Sequence, residues 1–381
     1  MAAPCCQVCA KSALDFIPEY AKLPRATSDS RPWRAGGQLA VCTHCGAIQK
    51  IPDAKWIDEI GRIYNGYDIY HQSAGSEQLI FAGGGEAEPR SKRLVDYLVR
   101  EAAVPSAGKL LDIGCGNGAA LSNFSKALPG WALHGAELND STIASLRTIP
   151  GFVALHTGRL DDIDERFSLI SLIHTLEHVL APAERLKEAA SLLETNGTLF
   201  VEVPNVETSP FDLLVADHLL HFTSATLGLL AGAAGLRALQ LGNHLLDKEL
   251  TLLATPGCAD AAALNPQRGV ELARKTVAWL GEVFASARSA ADKGPLAIFG
   301  TAIAGMALYG AFRGSVEFFI DEDPHRIGRK YDGKPVLAPA AAPRDVPILL
   351  AFPPASALLV AQKCRTLGLR CILLPPSIRL S

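Results

Sequence analysis

The sequence predicts an α/β protein in which a parallel sheet wrapped by helices stands between a small N-terminal cysteine module and a second, smaller βα unit. Three observations predict it. Cys6-x2-Cys9 and Cys42-x2-Cys45 form two close pairs near the start. The run Leu110-Leu111-Asp112-Ile113-Gly114-Cys115-Gly116-Asn117-Gly118 reads as an apolar strand entering a glycine turn. The alternation of short apolar runs with helical patterns that begins there resumes after residue 296.

A chain of 381 residues exceeds what one hydrophobic core organises. The expected division is a cysteine module over residues 1–80, a central domain over 81–245 and a C-terminal domain over 246–381. Apolar residues make up 49% and charged residues 20%, the balance of a soluble globular chain. The formal net charge of −3 supplies no positive field for phosphate backbones, so nucleic acid is not an expected partner. The first thirty residues carry Asp15 and Glu19 where a leader would be basic and then apolar, and no stretch approaches the roughly 18 to 20 apolar residues of a membrane span. The expectation is a cytoplasmic protein without a membrane partner.

In the central part, residues 109–113, 132–137, 153–156, 167–173 and 198–203 read as buried strands separated by helical patterns, the rhythm of a parallel sheet. Gly83-Gly84-Gly85 and the residues up to Pro89 have the composition of a linker, after which Leu94, Tyr97 and Leu98 return at helical spacing. A long helix is expected over 267–292, then strands over 296–299, 316–320, 348–352 and 371–374, forming another Rossmann-like domain. The alanine-rich residues 338–343 read as a loop.

Nine cysteines, an odd number, include five within the first 45 residues. Clustering without a leader favours metal over disulfides. Two Cys-x2-Cys pairs can each present both sulfurs to one tetrahedral ion, so Cys6, Cys9, Cys42 and Cys45 are the expected ligands of a structural zinc, with Cys5 an ambiguity beside Cys6. Gly46 suits the tight turn after the second pair. Four protein ligands leave no open position, which assigns such an ion to folding.

The strand ending at Asp112 and the turn Gly114-Cys115-Gly116-Asn117-Gly118 let a ligand lie against bare backbone. Glu137, at the end of the next strand, can accept both hydroxyl hydrogens of a ribose. The Asp-x-Gly-x-Gly-x-Gly form resembles motif I of class I methyltransferases, which implies S-adenosylmethionine as cofactor; a ligand-free Rossmann turn is the plainer alternative. The resemblance continues in Phe167-Ser168-Leu169-Ile170 followed by His174-Thr175-Leu176-Glu177-His178, which is similar to motif IV, and in Val201-Glu202-Val203-Pro204-Asn205. It places Asp112, Gly114, Cys115, Gly116, Asn117, Gly118, Glu137, Leu138, Leu160, Asp161 and His174 around the cofactor. Arg159 stands where many members hold adenine with an acidic residue, so Asp161 or a backbone group is the expected substitute.

Taken together, the cysteine pairs, the central domain and the tail resemble the sugar C-methyltransferase family acting on nucleotide-linked deoxysugars, over nearly the whole chain. The resemblance implies a small-molecule substrate, a nucleotide-sugar, held in part by the C-terminal turn Phe299-Gly300-Thr301-Ala302-Ile303-Ala304-Gly305 and by residues 319–329. Gly300 and Gly305 could also receive a phosphate at a helix start. Departures are visible. The family's Tyr-His-Glu-His segment corresponds to Val215-Ala216-Asp217-His218, in which only His218 keeps the place of the last histidine, and the tail turn lacks the family's lysine.

Methyl transfer is an in-line displacement that needs alignment and, for a protonated nucleophile, a proton acceptor. His218, His174, Glu177 and Tyr70 are the expected catalytic residues; Tyr67 and His71 accompany Tyr70, while His178 and His221 read as surface or hydrogen-bonded core histidines. Two rival functions remain. One is an RNA methyltransferase with a zinc-ribbon reader, against which residues 1–80 carry no basic run with interleaved aromatics. The other is a non-catalytic nucleotide-sugar binder, which the missing tyrosine and lysine would suit.

Overall fold

The computed structural model describes residues 4–66, 77, 79–81, 87–102, 104–258 and 264–376. Its central sheet has seven strands: β1 (Lys109–Ile113), β2 (Ala132–Ala136), β3 (Phe152–His156), β4 (Phe167–Ile173), β5 (Leu193–Pro204), β6 (Leu236–Gly242) and β7 (Glu249–Pro256). They lie in the order β3-β2-β1-β4-β5-β7-β6. Strands β1 to β5 are parallel, and β7 runs antiparallel to both of its neighbours. The middle strands are apolar on both faces, as in Leu169, Ile170 and Leu172 of β4, because helices cover the sheet on each side. The chain leaves β1 toward β2 and β3, then returns past β1 to β4. The carboxyl ends of β1 and β4 are therefore the switch point, where an open α/β sheet leaves a crevice.

The sheet runs to Pro256, so the boundary expected at residue 245 falls inside it. Leu250, Leu252 and Ala254 of β7 face one core and Leu253 the other. A strand buried on both faces lacks polar alternation, which is why the run beyond Gly242 was not recognised as part of this sheet.

Helix Arg90–Glu101 turns Leu94, Val95 and Leu98 toward the sheet along one stripe, beside helix Ala119–Ala127. Helices Pro182–Ser191 and Ser224–Ala233 cover the opposite face. The latter begins at a reciprocal cap between Thr223 and Thr226.

Strands Leu14–Phe16, Leu39–Cys42 and Ile48–Lys50 form an antiparallel sheet, and its fourth strand, Leu220–His221, comes from the segment that follows β5. The C-terminal sheet orders Lys334–Leu337, Val316–Ile320, Leu296–Phe299, Ile348–Leu350 and Cys371–Ile372 in parallel, with Lys330–Tyr331 antiparallel at one edge. Helix Pro266–Ala291 joins these parts. Its Leu272, Val277, Leu280 and Val283 share one core with Ile17, Leu39 and Ile48 of the first module, with Phe211 and Leu213, and with Leu296, Ile298 and Phe319 of the last sheet. The first and last parts of the chain are thus packed as one body. Among the described residues no helix is long and apolar enough to cross a membrane.

Beneath the first module Arg25 is buried and gives two hydrogen bonds to Glu59, Nη1 to Oε2 at 3.0 Å and Nη2 to Oε1 at 2.7 Å. Trp33 Nε1 donates to the same carboxylate at 2.9 Å. Replacing Glu59 with Ala strands a guanidinium in a dry place, and the expected loss is about 3–5 kcal/mol in urea unfolding. Arg34→Ala, at the exposed end of the network and 3.8 Å from Glu59, should cost under about 1 kcal/mol in the same measurement.

Candidate active site

The turn after β1 is built by three glycines in the left-handed region, Gly114 (φ 78°), Gly116 (φ 53°) and Gly118 (φ 85°). A Cβ on Gly114 would lie 2.2 Å from Thr175 Oγ1, so the turn can approach the end of β4 only because that atom is missing. Thr175 Oγ1 donates to Ile113 O at 3.1 Å and ties the two strand ends together. Glu137, at the end of β2, accepts from Gly116 N and Leu138 N, each at 2.9 Å, one on each carboxylate oxygen. Leu138 beside it is 82% exposed, an apolar side chain left open at the rim. Asp112 is buried and accepts from Ser171 Oγ at 2.7 Å; burial pushes its carboxyl up to about 7, and the Glu137 charge adds to the effect.

These residues open onto a cleft of ≈ 2530 Å³. Its other walls come from the end of β4, from the segment after β5 and from the C-terminal sheet, which contributes Gly300, Ala302, Arg326 and Phe352. In that last wall Thr301 donates through N and Oγ1 to Asp321 Oδ2 at 3.2 and 2.5 Å, and Arg326 Nη1 donates to Thr301 Oγ1 at 2.9 Å. A Cβ on Gly305 would sit 1.9 Å from Gly300 O, so the helix packs directly on its own turn.

The segment after β5 places Asp212 between two imidazoles. His218 Nδ1 donates to Oδ1 at 2.7 Å and His221 Nδ1 to Oδ2 at 2.6 Å. Burial alone would raise the Asp212 carboxyl, but the His221 and His218 rings hold it far below the usual carboxylate range. Burial likewise pushes His221 down to about 4, against the pull of Asp212. In His218 the carboxylates Asp212, Glu177 and Asp217 outweigh burial and raise the imidazole. Lys50 is buried, donates to Val215 O and to His218 O (3.1 Å for the latter), and falls to about 7 because burial strips its hydration.

The end of β4 carries a second charged group. His174 stands at φ 51°, a strained conformation for a side chain with Cβ, and its two ring nitrogens lie 3.2 Å from Glu177 Oε1 and 3.2 Å from Glu249 Oε2. Burial opposes protonation, yet those carboxylates hold His174 above its usual range. Arg90 lies 3.6 Å from Glu249 on its other oxygen. Behind them Glu202 accepts from Thr251 Oγ1 at 2.7 Å, and burial and the neighbouring Glu249 push its carboxyl well up. His178 Nδ1 lies 3.1 Å from Asp217 O and 3.2 Å from Tyr64 OH, and its ring meets that of His218 edge to face at 4.6 Å.

Away from the cleft, Cys6 Sγ lies 3.6 Å from Cys45 Sγ and Cys9 Sγ 3.6 Å from Cys42 Sγ, and all four sulfurs fall within 4.8 Å of one another. That spacing fits the edge of a tetrahedron with metal–sulfur bonds of about 2.3 Å. Gly46, at φ 81°, turns the chain after the second pair. Cys5 is not in the cluster.

Most of the sequence-predicted residues meet in this one cleft: Asp112, Gly114, Cys115, Gly116, Asn117, Glu137, Leu138, Leu160, His174, Glu177 and His218 line it. Gly118 does not line it; it starts helix Ala119–Ala127 and packs where a Cβ would meet Leu146 and Ile149 at 2.6 and 2.7 Å. Asp161 does not line the cleft: its side chain is exposed and pairs with Arg159 Nη2 at 2.9 Å, while Leu160 of the short helix Leu160–Asp162 turns inward. Tyr70, with Tyr67 and His71, lies outside the described residues. Asp212, Glu249, Arg90 and Lys50 escaped the sequence reading. An Asp six residues before a histidine on an irregular loop has no periodic signature; the only signal was the density of His and Asp between 212 and 221.

Comparison with known proteins agrees with this geometry. Residues 87–241 match the family model described as a methyltransferase domain. The ubiquinone biosynthesis O-methyltransferases of Xanthomonas campestris pv. campestris strains B100 and 8004 are 28% identical over 130 residues, 32% of this chain. The chain spans about half the length of these relatives, 53%. Among solved structures, the CcbJ methyltransferase from Streptomyces caelestis is 17% identical with a TM-score of 0.38, covering 46% of this chain and 99% of that one. An S-adenosylmethionine-dependent methyltransferase from Clostridium acetobutylicum ATCC 824 is 13% identical with a TM-score of 0.37, covering 53% and 99%.

The glycine turn is open to a direct test. Gly114→Ala should both lower the melting temperature and abolish calorimetric binding of S-adenosylhomocysteine, since its Cβ meets Thr175. Gly130→Ala, with φ 88° but nothing within 4 Å of the added atom, should cost only the left-handed strain, roughly 1–2 kcal/mol, and leave binding intact. Residues 87–241, which hold strands β1 to β5 and the glycine turn, thus match a methyltransferase domain.

Proposed function

We propose that this protein transfers the methyl group of S-adenosylmethionine to a small molecule, a nucleotide-linked sugar, with loss of the acceptor's proton assisted by the His218–Asp212 pair. One observation carries the reading: the glycine turn with its Glu137 brace and the carboxylate-held His218 open onto the same cleft. The cofactor fits what is present. Bare backbone at Gly114 and Gly116 receives the methionyl part, Glu137 takes the ribose, and Leu138 and Leu160 offer apolar surface to the adenine.

Support for a phosphate-bearing acceptor comes from the opposite wall. Arg326 is buried and lines the cleft, held beside the Gly300 turn by Asp321 at 3.4 Å and Asp323 at 3.6 Å. A guanidinium beside the Gly300 turn suits a diphosphate. Transfer itself is a displacement in which the S–CH3 bond breaks onto sulfur as the acceptor's electron pair takes the carbon, so the residues' work is alignment and proton removal. We further assign zinc to the four-cysteine cluster, where it would staple the first module and take no part in the transfer.

Purified protein given methyl-labelled cofactor and a panel of nucleotide-linked sugars should label one of them. His218→Ala should lower kcat by about 10²-fold or more while binding of S-adenosylhomocysteine is kept. Cofactor binding without label on any sugar nucleotide would remove this acceptor class. Metal analysis should find zinc in the wild type, and Cys9→Ser or Cys42→Ser should reduce it by one equivalent and lower the melting temperature.

A further inference from the structure

We propose that Glu177, His178 and His218 form a divalent-cation site on the floor of the cleft, a face of two histidines and one carboxylate whose remaining positions are open to the acceptor. One ligand atom of each residue lies within 4.8 Å of the other two, a span that one ion can close with small side-chain shifts. All three residues line the cleft.

The carboxylate is the strongest indication. Glu177 is fully buried, and neither of its oxygens has a hydrogen-bond partner among the described residues. Taking a carboxylate out of water costs several kcal/mol unless a positive charge faces it. The nearest one, His174 Nδ1 at 3.2 Å, belongs to a ring whose other nitrogen faces Glu249 at 3.2 Å. Arg90 also faces Glu249, at 3.6 Å, and on the other side of Glu177 stand the His178 and His218 rings; a cation held between Glu177 and those two rings would take the place of a ring proton as its counter-charge.

The imidazoles are held as ligands are held. His178 Nδ1 is taken by Asp217 O at 3.1 Å and Tyr64 OH at 3.2 Å, and His218 Nδ1 by Asp212 Oδ1 at 2.7 Å. That leaves Nε2 of each ring without a hydrogen bond among the described residues, and fixing one ring nitrogen on a carbonyl or carboxylate leaves the other to face a metal. Asp212, His218 and His221 also lie within 4.8 Å of one another, but there both Asp212 oxygens accept hydrogen bonds from Nδ1 atoms. That group is the bracing layer and Glu177 with the two free nitrogens is the site. Two imidazoles with one carboxylate suit a first-row transition ion such as Mn2+, Fe2+ or Co2+ better than Mg2+ or Ca2+.

The consequence rests on the methyltransferase reading, although the binding does not. A cation here would take an oxygen of the acceptor and raise its acidity, which is how the His218–Asp212 pair would assist proton loss. For a hydroxyl acceptor the O–H bond breaks with its electron pair left on the oxygen, and the proton passes to water in the open cleft. That pair then forms the O–CH3 bond as the S–CH3 bond breaks onto sulfur.

The test is titration of the full-length, zinc-replete protein with Mn2+, reading free Mn2+ by electron paramagnetic resonance; thiolates compete poorly for this ion. One saturable site per chain is expected. Glu177→Gln and His178→Asn should each weaken it about tenfold or more, and Asp212→Asn should weaken it by roughly 10–100-fold through the orientation of His218. His325→Ala, in the C-terminal domain, should leave it unchanged, and binding of S-adenosylhomocysteine by the variants shows that they are folded. Absence of saturable Mn2+ and Co2+ binding, or binding that survives both Glu177→Gln and His178→Asn, overturns the site. Methyl transfer at an undiminished rate by protein that binds neither ion leaves the methyltransferase reading standing and removes the cation. Saturable binding lost in the variants, without transfer to any acceptor, keeps the cation and removes the proposed reaction.

Discussion

A carboxylate held between two imidazoles in a place closed to water is the constraint on which the rest of the cleft depends. Asp212 stands on the segment that leaves β5, and its two oxygens fix His218 and His221 at 2.7 and 2.6 Å. His221 lies in the short strand Leu220–His221 that completes the sheet of the cysteine module. Phe211 and Leu213 on either side of Asp212 enter the core shared with the C-terminal sheet. One side chain thus joins the orientation of a cleft histidine to the packing of three parts of the chain. The arrangement resists drift because a buried charge released from its partners has no water to turn to.

Around that pair the cleft is organised by burial more than by count of charges. Glu202 and Glu249 sit side by side behind the floor, and burial together with the Glu249 charge pushes the Glu202 carboxyl well up. Arg90 and His174 face Glu249 at 3.6 and 3.2 Å. Lys50 gives its donors to the carbonyls of Val215 and His218, so the backbone that carries the histidine is supported from beneath. Polar groups fixed before a ligand arrives need no reorganisation when charge moves, which is the general use of such an interior. The cofactor end differs in kind. There the glycine turn removes side chains and leaves backbone and one braced carboxylate, Glu137, to do the recognition.

The sheet and the cleft are also coupled by strain. His174 keeps a left-handed φ of 51° at the very end of β4, and Thr175 next to it fills the space that Gly114 vacates. A residue forced into that conformation is held by its surroundings, here by two carboxylates on either side of the ring. The strand end, the turn after β1 and Glu249 of β7 are therefore braced against one another.

Read residue by residue, the chain already declared its α/β class, the strands β1 to β5, the long helix Pro266–Ala291, four of the six strands of the C-terminal sheet, the four clustered cysteines and most of the glycine turn, because these follow from local pattern. Apolar runs, glycines at fixed offsets and cysteine spacing act over a few residues, and nothing distant is needed to read them. Tertiary structure alone decided that β7 belongs to the central sheet, that Leu160 turns into the cleft while Asp161 pairs with Arg159 outside it, and that the first module and the last sheet share a core. It also brought Asp212, His218, Glu177, His178 and Glu249 together from separate stretches of chain. Those meetings rest on contacts between distant segments, and on pKa shifts that exist only once burial has removed the water; neither leaves a mark at short range in the sequence.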